Sequence, residues 1–341
     1  MMRALARLAV LIWLGGMAST GLTQGFPSNS VRVIISSSPG GSGDILGRIV
    51  MQKVSEYWGQ PVAVVNHWGG LSEGYVRRSA VVAPIARDGY TLLINSDRPL
   101  DPPIYHANSP GTDKIAYAYD LLKDFVPVVL LGLQPNILVV SASSPYRSVM
   151  DLVGAAKAKE ITIGHAGIGS RSHFSTERLL AASGINVKQV PFAGLGPALA
   201  GLYAGSIDSS WVLFPVAMVN IKAGKLRPLA VSTPRRNSQL SEVPTLGEAG
   251  ISGADSPNWF GIWAPAGTPG DVVQKISEDV RRALADPGVR GKLSIIGNDT
   301  MDLSPAEFAR FVRDEIEIYA QAVQSKMPGG PGPGRSHSID K

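Results

Sequence analysis

Two short segments rich in glycine and serine are the parts of the chain best suited to bind a charged molecule. Residues 36–44 read Ser-Ser-Ser-Pro-Gly-Gly-Ser-Gly-Asp, and residues 164–173 read Gly-His-Ala-Gly-Ile-Gly-Ser-Arg-Ser-His. Each lies between a β-prone run and a helical pattern. A helix start presents unpaired N–H groups and the positive end of the helix dipole, and glycine lets a ligand approach closely. The pattern predicts one carboxylate or phosphate held by two loops, unless the glycines only form tight turns.

A third segment, residues 191–197, reads Pro-Phe-Ala-Gly-Leu-Gly-Pro and leads into a helical run at 198–202. It could expose backbone groups to a ligand, or form a plain turn between a strand and a helix. None of the three segments has the third glycine of a dinucleotide fingerprint or the Gly-Lys-Ser/Thr ending of a P-loop.

The residue types that perform catalysis do not form a recognisable set. The five histidines show no metal-binding spacing, and neither His-Glu-x-x-His nor Gly-x-Ser-x-Gly occurs. Asp44 heads a predicted helix, where a carboxylate is more often a cap than a general base. We therefore expect no enzyme activity, no metal and no cofactor.

The elements that position these loops alternate along the chain. A helical pattern at 44–58 ends at Gly59, and capping signals mark helix starts at Ser148, at 268–271 and at 304–307. This alternation predicts an α/β fold with parallel strands and right-handed crossovers. The predicted strands are 31–35, 62–65, 91–94, 126–131, 137–140, 161–163, 188–191, 209–212 and 229–232.

The N-terminus predicts export. Arg3 and Arg7 precede the apolar run 8–14, and small residues follow up to Gly25, which is the order of a secretory signal peptide over residues 1–25. A retained N-terminal anchor is the alternative. No later run is long and apolar enough to span a bilayer, so we expect a soluble periplasmic protein.

Composition excludes other classes. The chain has 341 residues, 44% of them hydrophobic, and no cysteine, which excludes disulfides and thiolate chemistry. The net charge is +5, and removal of Arg3 and Arg7 leaves about +3, too little for a nucleic-acid footprint. The Gly/Pro-rich tail 328–341 is predicted to be disordered.

Motifs along most of the chain resemble the Bug-type periplasmic solute-binding proteins of tripartite tricarboxylate transporters. The resemblance covers about Phe26 to Met327. It is specific because many motifs occur, and they occur in the same order as in the family. The motifs are Phe26-Pro-Ser-Asn, Pro39-Gly-Gly-Ser-Gly-Asp44, Asp88-Gly-Tyr-Thr-Leu-Leu93, Lys123-Asp-Phe-Val-Pro127, Gly169-Ser-Arg-Ser-His173, Ile221-Lys-Ala-Gly-Lys-Leu226, Val243-Pro-Thr-Leu-Gly-Glu-Ala-Gly250 and Trp259-Phe-Gly-Ile-Trp-Ala-Pro-Ala-Gly-Thr-Pro269.

The resemblance implies a Venus-flytrap fold with a ligand cleft between two lobes. Residues 26–128 and 237–327 would form a discontinuous first lobe, and 129–236 the second. A ligand carboxylate would lie between one loop of each lobe. The ligand-binding residues carried over are Ser37, Gly41, Ser42 and Asp44 in the first lobe and Gly167, Ser170, Arg171, Ser172, His173, Phe192 and Ala193 in the second.

Several residues near the expected pocket depart from the family pattern. Arg171 stands where a small polar residue is common, and Arg98 lies in a loop that usually carries small residues. Either arginine could pair with a second ligand carboxylate, or simply face solvent. Trp68 or Trp211 could stack on an aromatic acid.

The function that follows is capture of a small organic carboxylate, dicarboxylates and aromatic acids included. The expected partners are this ligand and membrane permease subunits, with no nucleic acid, and we expect a monomer. A ligand-sensing input to a membrane kinase is the alternative. An enzyme on the same scaffold is the remaining possibility.

Overall fold

The computed structural model describes residues 25–37, 39–67, 86–96, 121–168 and 170–324, with the side chains of 319–324 left aside. Residues 1–24 of the predicted signal peptide, Trp68, Arg98 and the predicted tail 328–341 lie outside the described residues. None of the described helices combines the length and hydrophobicity that a bilayer-spanning helix needs.

Within the described residues, ten strands form two five-stranded sheets. The first sheet has the order β2-β1-β3-β10-β4, and the second has the order β7-β6-β8-β5-β9. The strands are β1 (Val31–Ile35), β2 (Val62–Asn66), β3 (Thr91–Ser96), β4 (Phe125–Gln134), β5 (Asn136–Ser141), β6 (Thr162–His165), β7 (Lys188–Pro191), β8 (Ser209–Leu213), β9 (Leu226–Val231) and β10 (Asn258–Pro265).

The helices cover the faces of these sheets. They are α1 (Ser42–Trp58), α2 (Leu121–Asp124), α3 (Val149–Ala158), α4 (Arg171–Ser183), α5 (Leu195–Tyr203), α6 (Phe214–Lys222), α7 (Gly270–Ala285), α8 (Pro287–Ile295) and α9 (Pro305–Gln324), with a short 3-10 turn at Ser238–Leu240. The predicted two-lobed α/β fold is confirmed, with one sheet in each lobe.

Each sheet is buried on both faces, as sandwiched α/β sheets require. In the first lobe, α1 and α7 cover one face, and Leu46, Val50 and Ile276 are fully buried there. Phe308 of α9 packs between Trp259 and Trp263 of β10 on the other face.

Strand pairing is mixed, so the prediction of parallel pairing is right only in part. β1 is parallel to β2 and β3, and β6 is parallel to β7 and β8. In contrast, β10 is antiparallel to β3 and β4, and β5 is antiparallel to β8 and β9. The antiparallel strands are those next to the lobe crossovers, where the chain leaves one sheet and enters the other.

Both predicted serine-capped helix starts are confirmed. Ser148 and Asp151 form a reciprocal capping box at α3, and Ser304 and Glu307 exchange hydrogen bonds in the same way at α9. The predicted cap at Thr268 is wrong, because its hydroxyl donates to the Pro265 carbonyl and no side chain caps α7.

The crossovers bring equivalent edges of the two sheets together. β4 ends at Gln134 and β5 begins at Asn136, so only Pro135 separates the two sheets there. Asn258 pairs with Gln134, and Asn136 pairs with Leu213. The C-terminal ends of β1 and β3 therefore lie beside Gln134, and those of β6 and β8 lie beside Asn136. We call these two rows of strand ends, which meet at the crossover, the joined edges.

The predicted lobe boundaries at 128 and 237 stay a prediction. β4 continues in the first sheet to Gln134, and Leu240, Val243, Leu246 and Ile251 pack into the clusters around the second sheet.

Candidate functional site

The two glycine- and serine-rich loops lie at the joined edges of the two sheets. The first-lobe loop, residues 36–41 with 38 outside the described part, connects β1 to α1. The second-lobe loop, residues 166–170 with 169 outside the described part, connects β6 to α4. Ligands of α/β proteins bind outside the carboxyl ends of parallel strands. The edges that carry both predicted loops are therefore the candidate site.

Asp44 fixes the shape of the first-lobe loop. Its Oδ2 accepts from the Gly40 N–H at 2.9 Å, and its Oδ1 accepts from Arg48 Nε at 2.7 Å and Asn66 Nδ2 at 2.8 Å. Asn66 Nδ2 also donates to the Ser37 carbonyl. The carboxylate is thus engaged in shaping the loop.

The protonation of Asp44 follows from these contacts. Burial raises the pKa of the carboxyl, but hydrogen bonds from Gly40, Asn66 and Arg48 and the Arg48 charge outweigh it, so the net pKa is lowered. A carboxylate held ionised in this way is a poor general base. The predicted ligand-binding role of Asp44 stays a prediction, and its structural role is visible.

Ser37 differs from its neighbours in the loop. It is 8% exposed, and among the described residues its hydroxyl has no hydrogen-bond partner. Ser36, in contrast, donates to Asn95 Oδ1 at 2.6 Å. A buried hydroxyl without a partner is costly, which points to a polar group that completes it.

Gly43 packs directly against Ser37 and Phe260. A Cβ on Gly43 would stand 2.9 Å from Ser37 Oγ and 2.9 Å from Cε1 of Phe260. Phe260, at the start of β10, is paired with Ser96 at the same sheet edge. The hydroxyl of Ser37 and the ring of Phe260 therefore lie against the first turn of α1, at a position where a larger residue than glycine would collide with both.

The start of α1 adds donors beside Ser37. Gly41 is its N-cap and no side chain of the described residues caps the helix, so the first-turn amides of Ser42 and Gly43 can serve another acceptor. We call the Ser37 hydroxyl and this first turn the anion pocket. Its donors and the helix dipole suit a carboxylate.

The second-lobe loop is held together by its own serines. Ser170 caps α4 by accepting from the His173 N–H, and its hydroxyl also donates to the Gly167 carbonyl at 2.6 Å. Ser172 Oγ accepts from the Ala166 N–H at 2.9 Å. Gly167 has φ of +106°, which favours glycine. These hydroxyls shape the loop, and contact with a ligand stays a prediction for each of them.

His173 faces into the second lobe. Its Nε2 lies 3.4 Å from Oε1 of buried Glu177, and its ring lies 4.6 Å from that of His165. Gln189 Nε2 donates to the same Glu177 oxygen at 2.7 Å. The predicted contact between His173 and a ligand stays a prediction. The visible role of its side chain is to anchor the start of α4.

The third loop lies at the same edge. Phe192 donates its N–H to the His165 carbonyl, and its ring packs beside Gly164 and Gly201. Ala193 is exposed, and Gly194, with φ of +123°, is the N-cap of α5 without a side-chain cap. The structure thus brings the predicted residues of both second-lobe loops together.

Arg171 influences a carboxyl of the other lobe. Its guanidinium lies over the Phe174 ring, 5.4 Å from the centroid, and its charge acts on Glu315 of α9. Glu315 is buried, and its Oε2 accepts from Trp259 Nε1 at 3.4 Å. Burial raises the pKa of Glu315, and Arg171 and Arg178 oppose that effect. The charges of α4 in the second lobe therefore act on a buried carboxyl of α9 in the first.

The expectation for Trp211 is wrong. Trp211 is 1% exposed inside the apolar cluster of the second lobe, so it cannot stack on a ligand. Sequence reasoning missed Asn66, Phe260 and Glu315. Asn66 could have been found from the sequence, because it ends a strand that is parallel to β1 and so lies beside the first-lobe loop. The positions of Phe260 and Glu315 depend on tertiary packing, which no local pattern reveals.

In the part of the chain that the structure describes, no three histidine or acidic side chains are grouped so that they could hold a metal ion.

The sequence matches the model of the tripartite tricarboxylate transporter family receptor over residues 46–326. Among curated proteins, it is 33% identical over 301 residues to the UPF0065 protein in the tcbD-tcbE intergenic region of Pseudomonas sp. strain P51, covering 87% of this chain and 86% of that protein. It is 29% identical to Protein BugT of Bordetella pertussis, covering 95% and 97%.

A solved structure has the same fold. R. palustris Rpa4515 with adipate aligns with a TM-score of 0.68 and 30% identity, covering 88% of this chain and 98% of that one.

Proposed function

Because the chain belongs to the tripartite tricarboxylate transporter receptor family, we propose that it captures a small organic carboxylate between its two lobes and delivers it to a membrane permease. The anion pocket supplies the first contact. The second-lobe loop, on the joined edge, supplies the second when the lobes close on the ligand.

One observation carries this proposal: the buried Ser37 hydroxyl, which has no hydrogen-bond partner among the described residues, lies next to the start of α1, which no described side chain caps. Neither feature alone identifies a binding site. Together they place several hydrogen-bond donors side by side, which a carboxylate oxygen would satisfy. The related Rpa4515 structure is a complex with adipate, which is a ligand of this chemical class.

No chemistry on the ligand is proposed. Asp44 lies in the first turn of α1 beside the pocket, and its charge is fixed by Arg48 and Asn66. His173 is directed to Glu177. These contacts support binding and release of an unchanged molecule.

Export and docking complete the proposed role. The predicted signal peptide would place the protein in the periplasm, where closed, ligand-loaded protein would dock on permease subunits. A monomer suits a protein whose lobes must move.

Mass spectrometry of protein isolated from the periplasm tests the proposal. We expect a bound carboxylic acid that is recovered unchanged after a long incubation. Recovery of a converted product would contradict capture without chemistry, and a ligand without a carboxylate would contradict the assigned pocket.

A further inference from the structure

Two segments of the described chain pass between the sheets, and they are bonded to each other. Pro135 separates β4 from β5, so Asn136 marks the first crossing. Ala254 still packs in the apolar cluster of the second lobe, and Asn258 begins β10 of the first sheet, so Ser256 marks the second crossing. Asn136 Nδ2 donates to the Ser256 carbonyl at 3.3 Å, which joins the two crossings directly.

Ser175, in the second turn of α4, is bonded to both crossings. Its hydroxyl lies 2.5 Å from the Ser256 hydroxyl and accepts from Asn136 Nδ2 at 3.4 Å. Ser232, directly after β9, completes the group: its carbonyl accepts from the Ser256 N–H, and its hydroxyl accepts from the Asn136 N–H, both at 2.9 Å. We call these four residues the hinge cluster, and each of them is at most 1% exposed.

One face of α4 lies at the border between the lobes. Arg171, Ser175 and Arg178 are four and three residues apart, which places them on the same side of a helix. Burial raises the pKa of Asp255 in the second crossing, and the Arg178 charge opposes this effect. The charges of Arg171 and Arg178 also act on Glu315 of the first lobe. The second-lobe loop, at the start of α4, is therefore one helical turn away from the hinge cluster.

The hinge cluster favours one arrangement of α4 and the two crossings. Loss of the Ser175 hydroxyl would leave Asn136 and Ser256 each short of one partner in a place that water does not reach, which is costly. The same cost arises when the crossings turn and the bonds to Ser175 break. The orientation that satisfies all of these buried groups is therefore stabilised over the others.

We propose that Ser175 is a positioning residue, which fixes the start of α4 relative to both crossings and so sets how far apart the lobes stand before a ligand arrives. Ser175 is fully buried, so it acts through the second-lobe loop and not by touching the ligand. The inference rests on the proposed function only in taking this loop to contact the ligand.

Distance measurements between two spin labels, one on each lobe, test this proposal without any ligand. The chain has no cysteine, so Gln52→Cys on α1 and Lys157→Cys on α3, both exposed positions, provide the label sites. In Ser175→Ala, about 10% or more of the molecules should take up distances outside the wild-type range, since bound orientations compete with minor states of that population. Ser256→Ala removes the other hydroxyl of the pair and should have the same effect, so either variant that folds decides the question.

Ser183→Ala is the matched control, because the Ser183 hydroxyl donates to the Leu179 carbonyl within α4. It should leave the distances unchanged. Wild-type distances in the folded variants at Ser175 and Ser256, or an equal change in Ser183→Ala, overturn the positioning role, even where the free energy of unfolding falls.

Addition of adipate, benzoate and citrate to the labelled wild-type protein tests the proposed function separately. A shorter distance with any of these carboxylates supports capture between the lobes. No response to any of them counts against the proposed function and leaves the positioning role of Ser175, which is measured without ligand, intact.

Discussion

Gly43 stands against Ser37 so closely that a Cβ on Gly43 would come within 2.9 Å of the Ser37 hydroxyl. The same Cβ would come equally close to the Phe260 ring. This close packing places a hydroxyl that has no partner among the described residues beside the first-turn amides of α1. The proposed function depends on this arrangement.

Removal of the Ser37 hydroxyl should weaken ligand binding without weakening the fold. Ser37→Ala deletes a donor that has no hydrogen-bond partner among the described residues, so we expect about 10-fold lower affinity for the ligand, or about 1.4 kcal/mol. The unfolding free energy should stay within about 0.5 kcal/mol of wild type. Titration calorimetry and urea unfolding measure the two quantities.

Ser36→Ala is the matched control for that substitution. Ser36 donates to Asn95 at 2.6 Å and is 3% exposed, so its loss should destabilise the protein by about 1 kcal/mol. Wild-type affinity in Ser37→Ala would show that the Ser37 hydroxyl is not part of the binding site.

A methyl group at position 43 should displace Ser37 and so disturb the anion pocket. We expect Gly43→Ala to reduce carboxylate affinity at least about 10-fold, because the new Cβ crowds Ser37 and Phe260. Gly154→Ala is the control, since Gly154 is exposed within α3 and a Cβ there meets nothing within 4 Å. It should stabilise the protein by up to about 1 kcal/mol and leave affinity unchanged. Wild-type affinity in Gly43→Ala would contradict the pocket.

Asp44 should stabilise the fold at neutral pH. Its folded-state pKa lies below 3.8, so its contribution is present above that value and is lost as pH falls through the folded pKa. Asp44→Asn should therefore cost about 1–3 kcal/mol at pH 7, and the difference from wild type should shrink at pH 3. Urea unfolding at pH 7 and at pH 3 measures this difference in unfolding free energy. A difference independent of pH would contradict the charged network.

Glu315 should affect the pH dependence of stability in the direction opposite to Asp44. Its folded-state pKa is raised above 4.5, so the folded protein binds this proton more tightly, and stability falls as pH rises from 4.5 through the folded pKa. Glu315→Gln should flatten this part of the profile. Asp255 and Asp299 also have raised pKa values, so the test compares wild type with variant at each pH. Parallel profiles would contradict a buried Glu315 carboxyl.

Much of the fold could be predicted from local patterns. The bounds of β1 and β7 are those predicted from the sequence, and the serine caps at α3 and α9 are confirmed. Each of these features depends only on residues close together in the chain. The antiparallel strand β10 was not predicted. Its position depends on long-range pairing with β3 and β4, which no local period reveals.

The candidate site was predictable only as a set of loops. Residue type identified the glycine- and serine-rich turns, but Ser36 and Ser37 are indistinguishable in sequence. Only the tertiary structure gives one hydroxyl a partner and leaves the other without one among the described residues. The same holds for Trp211, whose burial in the second-lobe cluster follows from strand register.

The most direct test of the central claim compares carboxylates with their neutral amides in thermal and urea unfolding. Hexanoate and hexanamide share one apolar chain, as benzoate and benzamide share one ring. A carboxylate at one hundred times its Kd should stabilise the protein by about 2.7 kcal/mol, and its amide should stabilise it far less. Equal stabilisation by acid and amide, or none by any acid, would contradict carboxylate capture at Ser37 and the start of α1.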